Sequence, residues 1–315
     1  MIFIFFLQLM LPLFFILWIG IAPTKSALAF SVQVLSTGLA LLAVHLTGIW
    51  LFPPWWTPWL FYALLLAAVV IGWRRHPSFT NRWPHGWRAW VLTAGFLTLG
   101  GWGITQSAIA LTGRVPQAGA VVNLVFPLKG GTYFVVSGGG TLNINPHLMT
   151  LDASMERFHA YRGQSYGIDI VKLDDWGLRA NGLQPQAPQA YNIHGVAVYA
   201  PCAGVVVQAL DGLPDMQVPQ TDRDHMAGNH VLLRCNDADV LLGHLKPGSL
   251  KVAKGARVAV GEPLGQVGNS GNTGEPHLHI HAQQPSTLTA PLSGNPLPVR
   301  FDNRFLVRND RVTVP

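Results

Sequence analysis

The sequence predicts two structural parts: a transmembrane segment of about four α-helices and, after it, an all-β domain. The first 112 residues contain no Asp or Glu and are dominated by Leu, Phe, Trp, Ala, Val and Ile. From about residue 113 the pattern changes to short β-branched and apolar runs punctuated by Gly, Pro, Asn and Asp, which is typical of strands joined by hairpins. We therefore expect a helical anchor over 1–112 and a β-rich domain over 113–315.

Four stretches of the first part are apolar and long enough, or nearly so, to cross a bilayer, which takes about 20 residues. They are 1–22, 29–52, 57–73 and 89–112. The first lacks the positively charged start and the small-residue cleavage site of a signal peptide. We expect it to be a retained helix, and the third stretch is the shortest of the four.

Loop charges predict the orientation of these helices. The segment 74–88 holds four arginines and should stay in the cytoplasm under the positive-inside rule. Lys25, in the first loop, falls on the same side, whereas the uncharged loop at 53–58 can be exported. Four spans then predict a multi-pass protein of the cytoplasmic (inner) membrane, with the β-rich domain on the periplasmic or extracellular side.

The formal net charge of +6 does not indicate a nucleic-acid partner. Five of the 21 Lys and Arg residues lie in the first 112 residues, so 16 remain in the second part against 15 acidic residues. That part is nearly neutral, and the excess belongs to loops beside the membrane. We expect membrane lipid, and no nucleic acid, as a partner.

The two cysteines, Cys202 and Cys235, lie in apolar runs that read as strands, and no CxxC spacing is present. Two interpretations stay open. They are either buried thiols or a disulfide between neighbouring strands, and a disulfide would suit an oxidising compartment such as a periplasm.

The second part contains six strand-like runs and two long loops. The runs are 133–137, 166–173, 196–210, 230–234, 240–242 and 277–282, and the loops are 174–194 and 211–229. Loops of this length in a compact domain commonly form the walls of a binding cleft. Nine of the twelve histidines also lie in this part, which raises the hypothesis of a metal site.

His277 and His279 flank Leu278 in the last of these runs. Because side chains alternate along a strand, both imidazoles project from one face, His281 continues that face, and Leu278 points into the core. The two imidazoles can share a metal, or one can bind metal while the other transfers protons. The alternative is a polar sheet face with exposed histidines.

Four segments resemble, in consistent order, the lysostaphin-type or LytM-like zinc metallopeptidases, peptidase family M23. They are YGIDI, APCAGVVVQA, LLGHLKPGSLKVAKGARVAVGEPLGQVGNSG and VGNSGNTGEPHLHIHA. The resemblance covers about residues 130–285. It implies a lysostaphin-like β fold, Zn²⁺ as cofactor and hydrolysis of peptide bonds in cell-wall peptidoglycan.

Carried over residue by residue, the resemblance implies that Asp169 and His279 are zinc ligands. His244 and His277 would be catalytic and flank the water that zinc activates. One would help to deprotonate this water, and both would stabilise the oxyanion that follows. A catalytic zinc usually has three protein ligands and an open position, so a third ligand is expected.

The chain departs from the family pattern at Ser165, where a histidine four residues before Asp169 is usual. A serine hydroxyl is a poor zinc ligand. His147 and His159 both lie within loop reach of Asp169. We favour His147, because the sequence resembles family members with a QxYxxD-type segment and an Asn-x-His segment upstream.

Two other functions stay open. The missing histidine would also suit a degenerate LytM-like module that binds or activates other wall enzymes. A multi-span anchor would suit a hydrolase of another exported peptide. Retention of Asp169, His244, His277 and His279 favours an enzyme, because a scaffold does not need all four.

Overall fold

The structure, a computed structural model, describes residues 6–22, 24–75, 81–117, 119–287 and 290–315. The chain divides into two compact units, Met1–Thr112 and Gly113–Pro315. Residues 1–5 of the first expected span and residues 76–80 of the expected cytoplasmic segment lie outside the described residues.

The first unit is helical. A π-helical turn (Phe6–Met10) leads into α1, and the α-helices are α1 (Leu11–Ile21), α2 (Ala27–Thr47), α3 (Thr57–Arg75) and α4 (Trp87–Thr112). Helices α2 and α4 approach closely at Gly103, where an added Cβ would lie 2.6 Å from the carbonyl carbon of Leu39. Small residues permit such contacts between helix backbones, as they do in membrane bundles.

Two helices, α2 and α3, are long and apolar enough to cross a membrane, judged by length and composition. A shorter apolar helix covers Phe6–Ile21. Helix α4 is not among the described helices that meet the same criterion. Because core helices and signal sequences also meet it, two such helices are weak support for an anchor, and about four spans stays a prediction.

The second unit is β-rich, as the sequence predicts. Its described residues form one short α-helix, α5 (Glu156–His159), and the strands β1 (Val122–Leu124), β2 (Gly131–Ser137), β3 (Ile168–Leu173), β4 (Ala197–Tyr199), β5 (Gly204–Leu210), β6 (Asn229–Cys235), β7 (Ala238–Leu245), β8 (Arg257–Val258), β9 (Pro263–Gln266), β10 (Leu278–Gln283), β11 (Pro296–Leu297), β12 (Val299–Phe301) and β13 (Arg311–Val314). The run at 196–210 is two strands rather than one, interrupted around Pro201, a residue that cannot donate to a strand ladder.

Nine of the described strands form one antiparallel sheet with the order β13-β2-β3-β10-β7-β6-β5-β8, and β11 pairs with β10. Strand β10 therefore lies between β3 and β7. In this register His279 is opposite Asp169 on β3 and opposite Gly243 on β7. The sheet thus brings together residues that are far apart in sequence.

One face of the sheet carries the main core, to which β10 contributes Leu278 and Ile280, both fully buried. Cys235 at the end of β6 is also part of this core. It forms a disulfide with Cys202, which shortly precedes β5. Of the two interpretations left open by the sequence, the disulfide is the one observed.

Candidate metal centre

Strand β10 presents His279 and His281 on the face opposite the main core, and His277 immediately precedes the strand. The alternation predicted from the sequence is therefore observed. His279 and His281 are only 4% and 1% exposed. The alternative of a polar face with exposed histidines is wrong, because both rings are enclosed and need buried partners.

Three imidazoles surround the carboxylate of Asp169. His279 Nδ1 lies 2.9 Å from Oδ1, and His277 Nε2 lies 3.4 Å from the same oxygen. His147 Nε2 lies 3.5 Å from Oδ2. The carboxylate therefore lies at the centre of the cluster, in contact with all three rings.

The surroundings of Asp169 keep it ionised. Burial by itself raises the pKa of a carboxyl group. Here the charges of His147 and His277, with hydrogen bonds from His277 and His279, outweigh burial and hold the pKa of Asp169 well below its usual value. The site consequently has a buried negative charge, which favours a cation.

His147 is held by Asn145. The Asn145 Nδ2 group donates to the carbonyls of Gly139 and Gly167 at 3.0 and 3.2 Å, so its Oδ1 faces the ring and accepts from His147 Nδ1 at 3.0 Å. The remaining nitrogen, Nε2, faces Asp169. Burial lowers the pKa of His147 to about 4, so the ring is neutral near pH 7, the form that binds metals.

The two alternatives to His147 lie elsewhere. His159 is exposed on α5, and its Nε2 lies 3.1 Å from the carbonyl of Ala153. Ser165 is fully buried, and its hydroxyl donates to the carbonyl of Arg162 at 2.6 Å and lies 2.7 Å from the Thr150 hydroxyl. Ser165 therefore joins two turns of the chain, and the structure brings His147, not His159, to Asp169.

His244 and His277 face one another, with ring centroids 4.7 Å apart. His244 Nδ1 donates to the carbonyl of Ser270 at 2.8 Å, and His277 Nδ1 donates to the carbonyl of Glu275 at 2.9 Å. Because a carbonyl only accepts, both Nδ1 atoms carry the proton. Each Nε2 is thus the nitrogen available for proton transfer.

The two rings differ in their electrostatic surroundings. Burial, followed by the charges of His277 and His279, lowers the pKa of His244 well below its usual value. Burial also acts on His277, but the charge of Asp169 and a hydrogen bond to it outweigh this effect and raise the pKa of His277. His244 also has a left-handed backbone, with φ of 59°, a conformation that costs energy in a residue other than glycine.

Among the residues that the structure describes, two sets of three could hold a metal ion, with all candidate ligand atoms of each set within 4.8 Å of one another. The sets are His147, Asp169 and His279, and His244, His277 and His279. The first set fits zinc better, because two imidazoles and a carboxylate match the donors of catalytic zinc sites. The two sets share His279. If the first set holds the metal, His244 and His277 of the second set lie next to it without being ligands.

Sequence reasoning missed the ion pair between Arg179 and Glu275. Arg179 donates from Nε and from a terminal nitrogen to the two Glu275 oxygens, each at 2.8 Å. This pair joins the loop at 174–194 to the residues just before His277. Nothing in the local sequence links two residues 96 positions apart.

Gly167 allows the close approach of His279. An added Cβ would lie 2.6 Å from His279 Cε1, and the φ of −58° at Gly167 suits any residue. We expect Gly167→Ala to displace His279 and to weaken zinc binding by about tenfold or more, as loss of support around a ligand does. Gly274→Ala is the matched control, because nothing lies within 4 Å of its added Cβ. Equal zinc affinities of the two variants would contradict this expectation.

Residues 190–291 match the family described as "Peptidase family M23". The chain carries a peptidase family M23 domain. The match contains His244, His277 and His279, whereas His147 and Asp169 lie upstream of it. The resemblance to M23 peptidases stated from the sequence motifs is thereby confirmed over residues 190–291.

Several solved structures resemble the M23 domain. The catalytic domain of the antimicrobial peptidase lysostaphin from Staphylococcus simulans is 23% identical, with a TM-score of 0.26, over 40% of this chain and 71% of that chain. A putative M23 peptidase from Pseudomonas aeruginosa is 18% identical, with a TM-score of 0.28, over 53% of this chain and 46% of that chain. A zinc-containing peptidase from Vibrio cholerae is 19% identical, with a TM-score of 0.23, over 47% of this chain and 50% of that chain. This chain thus spans half or less of the length of the Pseudomonas and Vibrio proteins. No curated protein matches the sequence.

Proposed function

We propose that this protein is a membrane-anchored, zinc-dependent endopeptidase that hydrolyses peptide bonds in peptidoglycan. The observation that carries the proposal is the cluster of five metal-binding or proton-transferring groups in an M23 domain, which form two sets of three that share His279. Its members are His147, Asp169, His244, His277 and His279. A module that only binds wall material has no use for such a cluster.

The proposed zinc ligands are His147, Asp169 and His279. The site fits zinc because a buried, ionised carboxylate is surrounded by imidazoles whose other nitrogens are already bonded. When bound at such a site, zinc lowers the pKa of a water molecule and polarises the scissile carbonyl.

His244 and His277 supply the proton transfers. The Nε2 atom of each ring is the nitrogen that no backbone carbonyl holds, since each Nδ1 is bonded to one, and in His277 this Nε2 lies 3.4 Å from Asp169 Oδ1. One ring accepts the proton of the attacking water at Nε2. A ring can donate to the oxygen that becomes negative in the tetrahedral intermediate only when its Nε2 carries a proton: the base has then just received one, and Asp169 favours the protonated form of His277. Because backbone carbonyls hold both rings, they need no reorientation during the reaction, which favours catalysis.

The membrane anchor and the exported position of the domain rest on separate arguments. The helices α2 and α3 are apolar enough to span a bilayer, and we infer that α1 and α4 complete a multi-pass anchor of about four spans in the cytoplasmic (inner) membrane. The disulfide between Cys202 and Cys235 suits an oxidising compartment. The helices and the disulfide together support a position of the domain on the periplasmic or extracellular side, where peptidoglycan lies.

The test combines metal content and hydrolysis. We expect the full-length protein, purified in detergent, to contain one zinc ion and to release new amino termini from purified peptidoglycan. A chelator should stop the release, and added zinc should restore it. His277→Ala should keep its zinc and lose about 10²- to 10⁴-fold in rate, which is the usual contribution of general acid–base catalysis.

Two results would contradict the proposal in different ways. A wild-type protein without zinc and without hydrolysis would favour the degenerate binding or activating module. A protein that contains zinc and hydrolyses exported peptides, but not peptidoglycan, would support the proposed reaction and contradict the proposed substrate.

A further inference from the structure

We propose that the helical unit binds the headgroup of an anionic phospholipid at the end where its charged residues lie. The inference rests on the membrane anchor of the proposed function and does not involve the metal centre. It concerns a cavity of about 380 Å³ that is lined by parts of α1, α2 and α4 and by the segment just before α4. Binding sites for small molecules have volumes of about 300 to 1,000 Å³.

The cationic residues of this unit lie on neighbouring segments. The amide of Leu28, in the first turn of α2, donates to the carbonyl of Arg82 at 3.2 Å. Arg75, the last residue of α3, donates from Nη1 to the carbonyl of Ile21 at 2.9 Å. These bonds join the loop before α2 to both ends of the segment 74–88. All five Lys and Arg residues of the first 112 are therefore gathered at one end of the helical unit.

The cavity at this end favours an anion. Lys25, His85 and Arg88 line it. The first 112 residues contain no Asp or Glu, so no carboxylate of this unit balances the charges of Lys25 and Arg88. The guanidinium of Arg88 lies 5.5 Å from the centroid of the Trp87 ring, a contact that leaves its charge in place. Arg88 and Ala89 also belong to the first turn of α4, and the N-terminus of a helix favours negative charge.

The remaining wall of the cavity favours a lipid over a free phosphate. It includes Trp18 of α1, Ala29 of α2 and Leu92 of α4. A free phosphate would leave this apolar wall in contact with water, whereas the glycerol backbone and acyl chains of a phospholipid would cover it. Trp83 also lines the cavity, and tryptophan is enriched where a membrane meets water. Basic pockets between membrane helices on the cytoplasmic side are typical sites for anionic lipid headgroups.

Thr24 favours a headgroup that carries hydroxyl groups. It lines the cavity, and its Oγ1 atom is buried without a hydrogen-bond partner among the residues that the structure describes. A buried hydroxyl without a partner is costly. The glycerol hydroxyls of phosphatidylglycerol would supply the missing bond, and its phosphate would supply the negative charge.

The test measures the binding of short-chain phosphatidylglycerol to the full-length protein in nonionic detergent. Native mass spectrometry should show one tightly bound phosphatidylglycerol per chain. The lipid should also raise the temperature of unfolding, since a ligand that binds only the folded state stabilises it. Short-chain phosphatidylcholine and inorganic phosphate, at the same concentration, should have little effect on this temperature.

Two double variants separate a site from a general attraction between charges. Lys25→Gln with Arg88→Gln should weaken phosphatidylglycerol binding about 10- to 30-fold, the effect expected for two charges lost beside an anionic headgroup. Arg74→Gln with Arg82→Gln is the matched control, because it removes two charges from the same end and neither residue lines the cavity. At physiological salt, which screens distant charges, the control should bind close to wild type.

Thermal unfolding without lipid checks that each variant is folded. If a double variant is not folded, Lys25→Gln and Arg74→Gln repeat the comparison with one charge each, because both side chains are exposed.

Three results would overturn the inference. Equal loss of binding in the two double variants would show that the charged end attracts anions without a site. Equal affinity for phosphatidylglycerol and phosphatidylcholine would show that the negative charge is not recognised. Inorganic phosphate that competes as well as phosphatidylglycerol would exclude the lipid as the occupant. Failure of the anchor is seen separately, because the chain would then be recovered from the soluble fraction of cells, and zinc content and hydrolysis are measured independently.

Discussion

Asp169→Asn is expected to abolish zinc binding and hydrolysis together. The substitution keeps the shape of the side chain and removes the buried negative charge around which His147, His277 and His279 are arranged. An amide oxygen is a much weaker ligand for zinc than a carboxylate, and the imidazoles alone do not compensate for the lost charge. Zinc content should fall from one ion per chain to a trace, and release of peptide ends should fall to background.

The comparison with His277→Ala separates metal binding from proton transfer. If Asp169 is a ligand, its variant loses both zinc and activity, whereas His277→Ala loses activity alone. An Asp169→Asn protein that retained a full zinc ion would show that the metal binds elsewhere. The set of His244, His277 and His279 would then be the next candidate.

His147→Ala is expected to remove zinc, and His159→Ala is expected to leave it in place. Both residues are within loop reach of Asp169 by sequence, but His147 Nε2 lies 3.5 Å from its carboxylate. His159 is exposed and contacts the carbonyl of Ala153. Loss of one of three ligands should weaken zinc binding by more than the roughly 10- to 100-fold that is typical of supporting residues.

The matched pair also decides whether His147 is the third ligand. His159→Ala removes an imidazole of the same kind from the same region, so it controls for general effects on the fold. If both variants kept zinc at wild-type affinity, His147 would not be the third ligand. Asn145→Ala offers a further check, because Asn145 holds the His147 ring without touching the metal.

Much of the site could be predicted because strand alternation and short motifs are local properties. The alternating pattern was enough to predict the strand around His277 and His279. Leu278 lies in the core, as that pattern requires. The β-rich character of residues after 113 followed from turn residues between short apolar runs. The preference for His147 over His159 came from a resemblance, and the structure brings His147 to Asp169.

The rest depended on distances between remote residues, which local patterns do not contain. The sequence places His281 on the same face as His279, but alternation does not say that their rings are in hydrogen-bonding contact. The structural role of Ser165, bonded to Thr150 and Arg162, is hidden for the same reason. The number of membrane spans depends on whether each helix is long and apolar enough to cross a bilayer. The sequence predicts about four spans, whereas two of the described helices meet this criterion.

The position of β10 between β3 and β7 has a consequence for how the protein folds. His279 and Asp169 are 110 residues apart in sequence, and they meet only when these strands have paired. A metal ion held by both would act as a removable cross-link between distant parts of the chain. Since such a site does not exist in the unfolded chain, the free energy of metal binding adds to that of folding. The availability of zinc in the compartment would then affect the free energy of unfolding of the domain as well as its activity.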